Sequence, residues 1–117
     1  MTKIATVLHL GMSLLFAIGW GGLVLVSVAD KGWYDDLMGP LMIAVISAVY
    51  VGIGFANSKA SNLNASGLGI MLTVPLVGAV AAPFDFEMPG LVIGGVPAVI
   101  LGLCCVVHAL EARKQVA

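Results

Sequence analysis

Two histidines, His9 and His108, are the residues of this chain best suited to hold a cofactor. His9 stands near the start of the first long apolar run, six residues after Lys3, and His108 stands near the end of the last one. Met12 follows His9 by three positions and Cys104 precedes His108 by four, so each pair shares a face on a helix. Imidazole beside soft sulfur suits copper, and two facing imidazoles suit a b-type haem. The competing reading is a pair of hydrogen-bonded boundary histidines with no cofactor at all. That reading is favoured, because ligand types at helical spacing alone make a weak motif. Cys104 and Cys105 are adjacent and read as packing thiols.

A second group is acidic. Asp30, Asp35, Asp36, Asp85 and Glu87 fall in two short polar segments that emerge side by side if the chain forms helical hairpins. Their oxygens could take Ca²⁺ or Mg²⁺, or meet a basic partner. Their spacing matches no calcium loop, so solvated loops are the favoured reading. No nucleophile–base pair can be assembled, which leaves an enzyme acting alone as the least favoured class.

The elements that must position these residues follow from composition. The chain has 117 residues, 61% hydrophobic and 9% charged, with a mean hydropathy of +1.13. Soluble domains are about half apolar and about a quarter charged, so a water-soluble globule is excluded. Five Lys/Arg against six Asp/Glu give no basic face for nucleic acid. The expected fold is a single all-α domain over 1–117, made of four transmembrane helices near 4–29, 37–56, 68–83 and 90–110. The apolar run after Lys3 is too long for a secretory signal, so it is expected to stay as a helix. The segment Asn57–Asn62 reads as a flexible turn.

Lys3, Lys59, Arg113 and Lys114 fall on one side of this arrangement and Lys31 alone on the other. The positive-inside rule therefore puts both termini in the cytoplasm, with a bacterial inner membrane as the expected location. No Asp, Glu, Lys or Arg lies deep in an expected span, which argues against an ion-coupled pump. Trp33 and Tyr34 stand at the outer boundary, where amphipathic rings prefer the headgroup layer.

A shift of 50 residues aligns Leu15–Gly52 with Ala65–Gly102 without a gap, and ten of 38 pairs are identical. This suggests two hairpins related as a parallel repeat. Small residues recur every fourth position: Ser13, Ala17 and Gly21 in the first span, Ala44, Ala48, Gly52 and Ala56 in the second, and Gly90, Gly94, Ala98 and Gly102 in the fourth. Such stripes let helix backbones approach closely in lipid. Pro75 and Pro97 should kink the third and fourth helices. The favoured function is a non-catalytic accessory subunit that packs through these faces, as a homo-oligomer or in a larger membrane complex. A channel or transporter for a small neutral or weakly charged solute is the alternative. A haem- or copper-holding redox subunit comes third.

Overall fold

The computed structural model describes residues 2–81 and 91–116. The described chain is all-helical, and four of its helices are long and apolar enough to cross a membrane. Helix α1 spans Thr2–Lys31. At 1.5 Å per residue its 30 residues reach about 45 Å, well beyond a hydrocarbon core of about 30 Å. It ends at Gly32, whose φ of 75° is open to glycine at little cost. The Gly32 N–H donates to Val28 O at 2.8 Å and closes the helix.

A 3₁₀ turn at Asp35–Leu37 turns the chain, with Leu37 tucked inside as its apolar anchor. Helix α2 runs Met38–Lys59, with Pro40 in its first turn, where a missing N–H costs least. Helix α3 runs Leu63–Ala81 and carries Pro75 in its interior. A π-helical segment, Leu91–Gly95, leads into α4, Val96–Val116. Pro97 is the second residue of α4, so its interruption falls where the hydrogen-bond pattern already changes from π to α.

The connection between α2 and α3 is shorter than the sequence suggested. Asn57, Ser58 and Lys59 complete α2, and α3 already begins at Leu63. The first half of the expected flexible turn is thus helix, and two asparagine side chains take up backbone groups at the junction. Asn57 Oδ1 accepts from the Asn62 N–H at 2.8 Å, and Asn62 Oδ1 accepts from the Ala65 N–H at 2.9 Å, as an N-cap does.

Helix α1 packs chiefly on α2, and α3 on α4, while α2 against α3 and α1 against α4 close the bundle. Only 11% of the most apolar stretch of α1 is buried, against 39% for α4. Helix α4 is therefore the enclosed member and α1 the most outward-facing. The core gathers Ile43, Ile53, Leu76, Ala98 and Leu101 around Tyr50. On the outside, Ile4, Val7, Leu15, Ile18, Leu25, Met71 and Val74 are all exposed, which lipid tolerates and water would not.

Candidate functional site

The polar side chains of the interior form two tiers. The deeper tier draws one residue or more from every helix. His9 of α1 is fully buried and its Nε2 lies 2.7 Å from Tyr50 O of α2. A carbonyl can only accept, so Nε2 carries the proton and Nδ1 is left as the acceptor. Cys105 of α4 places Sγ 3.8 Å from that Nδ1, the geometry of a weak S–H donor. The Tyr50 hydroxyl donates to Gly69 O of α3 at 2.6 Å, and Thr73 Oγ1 lies 3.0 Å from both oxygens. The His9 and Tyr50 rings meet edge to face with centroids 5.6 Å apart.

Gly69 makes this convergence possible. A Cβ there would collide with Cys105 Sγ and would lie 3.4 Å from the Tyr50 ring. Gly54 does the same for α1, since a Cβ on it would sit 2.6 Å from Leu10 and 2.9 Å from the His9 ring. In hydrocarbon an unpaired polar group is costly, so the tier acts as a set of mutually dependent bonds between helices.

The second tier lies toward the end of the bundle where α1 begins and α4 ends. His108 is buried and bridges Thr6 Oγ1 (3.0 Å from Nε2) and Ser61 Oγ (3.1 Å from Nδ1). Thr6 donates its own proton to Thr2 O at 2.9 Å, so the His108 Nε2–H supplies the Thr6 bond and Ser61 supplies the other. The two tiers share one antiparallel register: three residues further along α1, Thr6 gives way to His9, and three residues back along α4, His108 gives way to Cys105. Beside His108, Asn57 is buried and Ser66 Oγ donates to its Oδ1 at 3.2 Å. A cavity of about 440 Å³ opens at this end, bounded by the start of α1, the α2–α3 connection and the last turns of α4.

His9 and His108 thus do lie at neighbouring depths in the interior, but each ring already holds a protein partner at both nitrogens. A haem iron or a copper ion would have to displace one of them. The sulfur beside His9 is Cys105, not Met12 or Cys104. Met12 packs against the apolar core, and Cys104 lines an apolar groove between α1 and α4. Among the described residues, no three His, Cys, Asp or Glu side chains converge as a metal-ligand set.

Of the acidic group, Asp30, Asp35 and Asp36 are exposed around the α1–α2 connection. Asp85 and Glu87, together with Gly90 of the fourth stripe, lie outside the described residues. The stripes divide sharply. Gly94 of the π-helical segment and Ala98 and Gly102 of α4 are buried; a Cβ on Gly94 would collide with Val80, and one on Gly102 would lie only 2.7 Å from Thr73 Oγ1. On α1, Ser13 is buried, Ala17 is half-buried, and a Cβ on Gly21 would touch Ala44 at 4.0 Å. On α2, Ala44 and Ala56 are half-buried while Ala48 and Gly52 are exposed, and a Cβ on Gly52 would meet nothing within 4 Å.

Sequence reasoning gave no site role to Tyr50, Thr73 and Gly69, read Cys105 as a packing thiol, and put Asn57 and Ser61 in a flexible turn. Tyr50 offered a signal, as a polar-tipped ring in the middle of an apolar run with no water to satisfy its hydroxyl. No protein-family model, curated protein or solved structure matches this chain.

Proposed function

We propose that this protein is a non-catalytic membrane subunit that associates through the outer face of α2. The exposed Ala48 and Gly52 carry this reading: the comparable stripes on α1 and α4, and Ala44 of this one, meet neighbouring helices, while no described residue covers Gly52. Small residues facing lipid gain nothing from it, whereas a second helix can approach closely there and gain dispersion contacts. The interior supports the same reading, since its two histidines, Tyr50 and Cys105 bond across to neighbouring helices and tie the four together.

The partner that fits best is a second copy of the chain, the commonest arrangement for a self-complementary face. In this reading the protein sits in a cytoplasmic membrane with both termini inside, following the bias of Lys3, Lys59, Arg113 and Lys114. The two hairpins α1–α2 and α3–α4 would descend from one duplicated unit. Their aligned glycines have since diverged in use: Gly19 and Gly52 are open, whereas Gly69 and Gly102 are packed.

Crosslinking in native membranes tests the association. An Ala48→Cys variant should give a discrete adduct of twice the monomer mass on oxidation, with little background from the buried Cys104 and Cys105. Adding Gly52→Leu should suppress the adduct. Monomer alone, with flux of a small solute in proteoliposomes, would replace this reading by the transporter.

A further inference from the structure

The cavity beside His108 has a composition that the association of helices does not require. Its wall includes Lys3 of α1, Asn57 and Lys59 of α2, Ser61 of the α2–α3 connection, and Glu111 and His108 of α4. Two ammonium groups against one carboxylate leave it net positive. Asn57 is the informative member. It is 4% exposed, and its side-chain oxygen is engaged twice, by the Asn62 N–H and by the Ser66 hydroxyl. Its Nδ2, a donor of two hydrogen bonds, has no acceptor among the described residues. A buried amide nitrogen left unpaired costs free energy unless something supplies an acceptor. Ser61 and His108 are bonded to each other, and neither makes a hydrogen bond with that nitrogen.

The position narrows the ligand class. The cavity lies at the end of the bundle, level with the exposed basic residues that bracket the apolar spans. Basic pockets between transmembrane helices at that depth suit the phosphate of a lipid headgroup. Lysine stems reach along apolar surface to place their charge at the same level.

We propose that this cavity binds a phosphate-bearing anion at the membrane boundary, with Lys3 and Lys59 as charge partners and the Asn57 amide as a donor. Glu111 opposes a bare polyanion and favours a phosphate presented with a single charge, as in a diester headgroup.

Calorimetric titration of the full chain in nonionic detergent tests this, with dioctanoyl phosphatidylglycerol, dioctanoyl phosphatidylcholine and inorganic phosphate as separate probes. Phosphatidylglycerol should bind saturably, and more tightly than the zwitterionic lipid. The double variant Lys3→Gln/Lys59→Gln should weaken it by about tenfold or more, since each lysine near a lipid surface is worth roughly fivefold. Asn57→Asp keeps both oxygen-centred bonds but replaces the donor by a charge, and should abolish binding with helicity unchanged. Inorganic phosphate that competes with the lipid at similar affinity would make the natural ligand a soluble phosphate; failure to compete would make it the headgroup. Equal affinity for the two lipids, or a double lysine variant that binds as well as the parent, would overturn the proposal.

Discussion

A single missing methyl group at Gly69 lets the Cys105 sulfur reach the backbone of α3 and, from there, the His9 ring. Gly69→Ala should therefore destabilise the bundle by about 1–3 kcal/mol, the usual cost of overpacking. Removing the sulfur should relieve most of that. In a double-mutant cycle with Cys105→Ala, the two changes should couple by about 1 kcal/mol or more, measured by reversible unfolding in mixed micelles. Additive losses would mean that the helices separate at this point rather than clash. The sequence placed His9 and His108 near the same end of the bundle and favoured boundary histidines; both rings are in fact buried among the helices. It could not reveal which sulfur meets them. Spacing of three or four places residues on one face of one helix, but the rotation of α4 against α1 decides whether Cys104 or Cys105 points inward. That rotation is set by Gly69 and Gly102 on two different helices, which no local pattern records.

Helices were legible because crossing a bilayer demands long apolar runs, and the four runs stand out from their polar ends. Their limits were less so. Asn57 and Asn62 look like turn residues, and by type they are; here their side chains extend the two helices by satisfying the end groups. The small-residue stripes were visible as a pattern, but not which of them the chain itself would use. That distinction predicts a contrast between two glycines. Gly102→Val should drive a side chain into Thr73 and lower stability by about 1–3 kcal/mol. Gly52→Val should leave the unfolding transition of the monomer nearly unchanged, because nothing lies within 4 Å of the new Cβ. A thermal melt followed by helical circular dichroism separates the two. Equal losses would show that the α2 face is packed in the monomer after all.

The described residues span 53 × 28 × 20 Å, long enough for α1 to cross a bilayer and project beyond it. The hydrogen bond from His108 to Thr6 puts the beginning of α1 and the end of α4 at one end of that long axis. Cysteine labelling checks the proposed orientation. Lys114→Cys should react with an impermeant maleimide only in inverted vesicles, and Lys31→Cys only in right-side-out ones; the reverse pattern would invert the assignment. The two tiers also impose an order on biogenesis. His9 reaches the membrane 41 residues before the carbonyl of Tyr50 and 96 residues before the thiol of Cys105. At roughly 5–20 residues per second of synthesis, the imidazole waits several seconds for its first partner and considerably longer for its second. Once formed, the hairpin α1–α2 shelters it through the second interval, and α4, made after the other three helices, completes the bundle.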